Sequence, residues 1–158
     1  MSHFWWSIAK SSGPNDWINE GGAEFSSFIL SEKLFGQDYK IYRLKKYIDR
    51  IRNSTGNVPI ANTETTSDFR YLNRYEKTTI MFYLAKKKFG AEKLFNFLKK
   101  YLEKYQSSHN ANTENFLEMA SKEIGKEAQE YFKKMLFSEN FKNEIKDIEE
   151  EYKNEEKK

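Results

Sequence analysis

Two prolines and seven glycines in 158 residues leave this chain few places to turn. A β fold with many strands needs a turn every 8–12 residues or so, usually marked by Gly, Pro, Asn or Asp. Long uninterrupted stretches with apolar residues three and four apart point instead to helices. The fold class that follows is all-α, with about six to seven helices. Aromatic residues make up 16% of the chain, enough to fill the core of a single domain.

The spacing predicts a short helix over Ser2 to Ala9, carrying Phe4, Trp5, Trp6 and Ile8. After a loop through Gly13 and Pro14, a second helix starts at Asn15 or Asp16, residue types that favour N-caps, and stops at Gly36. A basic, amphipathic helix covers 38–53, and 54–68 read as a long loop. Further helices cover 70–89, ended by Gly90, then 91–105, 113–124 and 126–137. Residues 1–137 form the helical domain, and 138–158 a charged C-terminal helix or tail.

Charge narrows the function. Lys and Arg total 27 against 24 Asp and Glu, a formal net charge of +3 with both signs interspersed. No one-sided basic patch suits a phosphate backbone, so nucleic acid is not an expected partner. No apolar run is long enough for a membrane segment. The absence of cysteine rules out disulfides and thiolate metal sites within the chain. No targeting signal is legible, which makes the cytoplasm the default location.

Three short pieces carry chemistry. They are Ser2-His3-Phe4-Trp5-Trp6, then Asp16-Trp17-Ile18-Asn19-Glu20-Gly21-Gly22-Ala23-Glu24, then Arg74-Tyr75-Glu76-Lys77. Singly, each has a structural explanation: a surface histidine, a glutamate at the positive end of a helix, aromatic core residues. In this order they resemble the aminopeptidase N and leukotriene hydrolase family of zinc peptidases, the gluzincin type. That family reads H-E-x-x-H, then an aromatic pair, then W-L-N-E-G-x-A-E, and later Y-E-K-G. The resemblance extends over roughly residues 1–137.

The resemblance implies the helical subdomain of a thermolysin-like catalytic domain and a role for each motif residue. His3 and Glu20 would be zinc ligands, and Tyr75 the hydroxyl that supports the oxyanion in the transition state. Asn19, Asp16 and Glu24 would hold the ligands in orientation. Glu76 and Lys77 would anchor their helix. The implied cofactor is zinc, the implied partner a peptide substrate, and the implied reaction hydrolysis of an N-terminal peptide bond.

Several positions depart from the family. The span between His3 and Glu20 is two residues shorter than usual. Gly22 stands where a large residue is common, and Thr78 replaces the glycine after Tyr-Glu-Lys. Met1-Ser2 fall where the two variable residues of H-E-x-x-H belong, so the motif's first His and its Glu are expected just before Met1, in a longer protein. His109, in a polar loop, is not expected to replace that ligand. With His3 and Glu20 as its zinc ligands and no general base, the chain is expected to bind zinc weakly and to lack peptidase activity by itself. Phe4, Trp5 and Trp6 would be left exposed and favour self-association. The alternative expectation is a non-catalytic helical interaction module on a peptidase-derived scaffold.

Overall fold

The computed structural model describes residues 5–56, 58–146 and 148. It is all-α: α1 (Trp17–Phe35), α2 (Gln37–Asn53), α3 (Thr78–Phe89), α4 (Ala91–Tyr105), α5 (Thr113–Glu123), α6 (Lys126–Phe137) and the short α7 (Phe141–Glu144). A 3-10 turn at Pro14–Asp16 leads into α1, and a π-helical turn at Leu72–Lys77 leads into α3.

The centre of the bundle is α1. Its buried residues, from Trp17 and Ile18 through Gly21, Gly22 and Ala23 to Phe25 and Phe28, lie on every side. A helix that is apolar all round belongs in a core rather than on a surface, and α1 packs against α2, α3 and the π-turn. By contrast α4 is one-sided, burying Leu94, Phe97, Leu98 and Tyr101 and leaving its lysines outside.

Aromatic rings fill the space between the helices. Phe116 of α5 meets Phe97 at 5.0 Å, Trp17 at 5.1 Å, Phe132 at 5.1 Å and Tyr101 at 5.2 Å, all edge-on. Edge-to-face contacts suit the ring quadrupole and add to the burial itself. Trp17 Nε1 donates to Thr113 Oγ1 at 3.0 Å, so the largest ring of α1 is also pinned by its polar edge.

The helix stops follow backbone chemistry. Gly36 and Gly90 adopt φ of 85° and 90°, a region hostile to residues with a Cβ, and each follows the last residue of its helix. The start of α5 is a capping box in which Asn112 and Asn115 each accept from the other's backbone N–H.

Two local expectations are corrected. Residues 5–9 are not helical. Ala9 pairs with Ala111, whose N–H donates to the Ile8 carbonyl at 3.0 Å. Trp6 and Ile8 are buried while Trp5 and Ser7 are exposed, an alternation that belongs to extended chain. Asn15 does not cap α1 either. Its Oδ1 accepts from the Thr113 backbone N–H at 2.9 Å and from the Thr113 hydroxyl, and so serves the start of α5. Beyond α6, Phe141, Ile145 and Ile148 are buried in the same core.

Candidate active site

Of the residues singled out in the sequence, Asp16, Asn19 and Glu20 sit at the start of α1, and Tyr75, Glu76 and Lys77 in the π-turn packed against it. Glu20 lies in the first turn of α1. Tyr75 lies inside the π-turn, a widened turn that often marks functional positions within helices. The Tyr75 hydroxyl lies near the Glu20 carboxylate, whose hydrogen bonding and charge act on it. Burial, that hydrogen bond and the charges of Glu20 and Asp16 together push the phenol well above its usual pKa, against a weaker pull from Arg70. The Tyr75 ring is stacked on Tyr71, with centroids 4.7 Å apart.

Asp16 and Asn19 form the support beneath this pair. Asn19 uses its whole amide. Its Oδ1 accepts from the Ile8 and Ala9 N–H groups at 2.9 and 3.0 Å, and its Nδ2 donates to the Ala9 carbonyl and to Asp16 Oδ1, both at 2.9 Å. Asp16 Oδ2 accepts from Arg74 Nη1 at 2.7 Å. Burial pushes the Asp16 carboxyl up; Asn19 pulls it down, Glu20 pushes it up by like charge, and Arg74 pulls it down.

Glu24 has a different surrounding. It accepts from Arg43 Nη2 at 2.7 Å and from the Tyr47 hydroxyl, so it ties α1 to α2. Burial raises the Tyr47 pKa, and Glu24 adds to it. Glu76 pairs with Arg50 of α2 at 2.7 Å. Lys77 Nζ donates to the Val58 carbonyl at 3.3 Å and lies over the Phe141 ring. Those two residues hold the π-turn to its neighbours. His3 and Phe4 lie outside the described residues. Trp5 is exposed, whereas Trp6, expected to be exposed with it, is buried and donates its Nε1 hydrogen to Ser26 at 2.9 Å. His109 contacts the Ser7 carbonyl and has a positive φ of 51°.

Two departures from the family motif have a steric reason. A Cβ on Gly22 would come within 2.3 Å of the Trp6 ring, so the indole fills the space that a large residue would need. A Cβ on Gly21 would come within 2.1 Å of Thr78 Cγ2 and 2.8 Å of the Arg74 carbonyl. Thr78 thus packs its methyl on Gly21, and its Oγ1 donates to the Asn73 carbonyl at 3.0 Å.

Sequence reasoning missed Arg74 and Asn73. Arg74 is 1% exposed, and besides Asp16 it reaches the Gly13 and Thr63 carbonyls, both at 2.9 Å. Asn73 Nδ2 donates to Thr63 Oγ1 at 2.7 Å and to the Val58 carbonyl at 2.9 Å. No signal marked either residue: Arg74 stands among Arg70, Asn73, Glu76 and Lys77, a run that looks like a solvated face.

A zinc site takes three protein ligands as a minimum. Among the described residues no group of three His, Cys, Asp or Glu could hold a metal ion. Asp16 and Glu24 are each engaged by an arginine, and Glu20 lies near the Tyr75 phenol. The described residues therefore do not by themselves fit a complete zinc site. Also among them, no helix is long and apolar enough to cross a membrane.

No family model and no curated protein matches the sequence. The fold does match solved structures. An M1 zinc metallopeptidase from Deinococcus radiodurans aligns with a TM-score of 0.76 at 15% identity, over 87% of this chain and 31% of that one. A Glu-to-Ala variant from the same organism, bound to a Tyr-Ser-Ala substrate, aligns at 0.75 and 15% identity, over 86% and 31%. A two-domain M1 zinc metallopeptidase variant bound to L-tryptophan aligns at 0.75 and 15%, over 87% and 31%. This chain thus has the fold of an all-α region of an M1 zinc metallopeptidase, and spans under a third of the length of these structures.

Proposed function

We propose that this chain is the C-terminal helical part of the catalytic domain of a zinc-dependent aminopeptidase, of the aminopeptidase N and leukotriene hydrolase type. The observation that carries the reading is the closeness of Glu20, at the start of α1, to Tyr75, in the π-turn packed against that helix, in a fold shared with M1 zinc metallopeptidases. A carboxylate on one helix and a phenol on another, facing a common point, are what a metal-assisted hydrolase needs on its two sides: a ligand for the metal and a donor for the oxyanion. In this reading Glu20 and His3 are ligands, Asp16 and Asn19 hold Glu20 in place, and Tyr75 donates to the tetrahedral intermediate. Glu24, bound to Arg43, fastens α1 to α2. Among the related structures, one holds Tyr-Ser-Ala as substrate and another L-tryptophan, which fits a proposed peptide substrate here.

The same reading makes the 158 residues inactive by themselves. Two ligands are fewer than a catalytic zinc needs, and the motif's general base is not among the residues assigned. The test is expression of the chain with whatever polypeptide its gene encodes in frame before Met1, assayed with aminoacyl chromogenic substrates. Zinc-dependent release of the amino-terminal residue supports the reading. An extended protein that binds zinc yet leaves every such substrate intact overturns it.

One observation favours a second reading, a helical interaction module. An open, mostly apolar groove of about 980 Å³ lies between α1 and α4, lined by Trp5, Phe25, Ile29, Leu30, Phe95 and Leu102. Trp5 is 68% exposed there. Self-association through Trp5 is the form this reading takes, and sedimentation of the native chain beside Trp5→Ser in analytical ultracentrifugation tests it.

A further inference from the structure

Three buried polar side chains join the stretches that carry Glu20 and Tyr75. Asp16 comes just before α1 and one turn before Glu20, Asn19 directly precedes Glu20, and Arg74 directly precedes Tyr75. Asn19 grips the extended segment at Ile8 and Ala9. Arg74 spans Asp16, the Gly13 carbonyl and the Thr63 carbonyl. The extended segment, the start of α1, the loop before the π-turn and the π-turn itself therefore meet at one junction.

The π-turn makes this junction consequential. A π-turn holds one residue more than an α-turn, so the direction of each side chain depends on how the widened turn is seated. The Thr78 hydroxyl closes the turn locally, onto the Asn73 carbonyl, but a bond within the turn does not fix its rotation against α1. Arg74 can, because its rigid fork of donors reaches groups on separate stretches, which the point charge of a lysine does not.

We propose that Arg74 is a positioning residue: held by Asp16 and by the Gly13 and Thr63 carbonyls, it sets the rotation of the π-turn, which packs on Gly21 of α1, so that Tyr75 faces the Glu20 carboxylate. The peptidase reading gives that arrangement its purpose, but the arrangement can be measured in the 158-residue chain without any activity.

The experiment uses the full chain with 3-fluorotyrosine at its tyrosines. The Tyr75 resonance is assigned by its loss in Tyr75→Phe. In the native background Glu20→Gln displaces this resonance, and the displacement measures the contact. Expected in Arg74→Lys, and in Arg74→Met paired with Asp16→Asn, is a displacement cut to roughly half or less, with native circular dichroism, as for any coupling that runs through the mutated group. Tyr131→Phe, remote from the junction, leaves the displacement at its native size. An undiminished displacement in either Arg74 variant overturns the proposal. So does loss of the native circular dichroism in Arg74→Lys, which would assign the guanidinium to folding rather than aim. A native chain in which Glu20→Gln moves nothing overturns it as well, whereas the peptidase reading is decided separately by the hydrolysis assay.

Discussion

Arg74 Nη1 meets Asp16 Oδ2 at 2.7 Å across 58 positions of sequence, with side chains 1% and 7% exposed. A buried pair of this kind adds little net stability compared with an apolar substitute, but removing one partner strands the other. Arg74→Met should lower the unfolding free energy by about 3–5 kcal/mol. Arg74→Met with Asp16→Asn should cost less than the sum of the two single changes. Urea unfolding of the four proteins checks both statements, and strict additivity would refute the pairing.

Gly22 lies under the Trp6 indole, which Ser26 holds by its Nε1 hydrogen. Gly22→Ala forces a methyl into the ring and should destabilise by about 1–3 kcal/mol. In a Trp6→Leu background the same methyl should cost under about 0.5 kcal/mol, since the obstructing atoms are gone. Scanning calorimetry on the four combinations reads the difference.

Stability should pass through a minimum near neutral pH. Burial holds the Glu76 carboxyl up at about 7, above its ordinary 4.5, against Arg50 and Lys46 and with a push from Glu24. Between those values the folded protein carries a proton that the unfolded chain has lost, so stability falls as pH rises from about 4.5 to 7. Asp16, also raised, adds to the same trend lower down. Burial and Lys142 hold Lys77 down at about 8, below its ordinary 10.5. There the unfolded chain binds the extra proton, and stability recovers as pH rises from about 8 toward 10.5. Unfolding midpoints across this range should show the dip. Glu76→Gln should flatten its acid limb and Lys77→Met its alkaline limb.

Zinc should bind the 158 residues weakly, with a dissociation constant above about 1 μM. Calorimetric titration reads the affinity, and Glu20→Ala should weaken whatever binding is seen. Tight binding at one zinc per chain would show a third ligand that the motif reading does not contain.

Within an active, extended protein, Tyr75→Phe should lower kcat by about 10²–10³-fold with KM little changed, as loss of an oxyanion donor does. A variant impaired chiefly in KM would place Tyr75 in substrate binding instead.

Much of the fold was written in local chemistry. Gly36 and Gly90 stop helices where their sequence context said they would, and the apolar residues of α5 and α6 mark their buried faces, whereas α4 buries Phe97 and leaves Phe95 of its expected stripe exposed. What escaped depended on distance or on small shifts of period. Trp5 to Ala9 contains too few residues to separate a spacing of two from a spacing of three or four. Asn15 had the chemistry of a cap, but its target, Thr113, lies 98 positions away. The π-turn leaves no mark in composition, and Arg74 looked like one more surface charge until Gly13, Asp16 and Thr63 were seen around it. At the site, Glu20 and Tyr75 were legible as types within motifs, whereas the tie from Glu24 to Arg43 could not be foreseen without α2 in place.

From Trp17 to Ile29 every residue of α1 is buried or half-buried. Such a rod has little wet flank on which random change can accumulate without harm. In a library of single substitutions this stretch should tolerate the least, while the outward lysines of α4 vary freely. The carboxylate of Glu20 is thus mounted where the molecule is least able to drift.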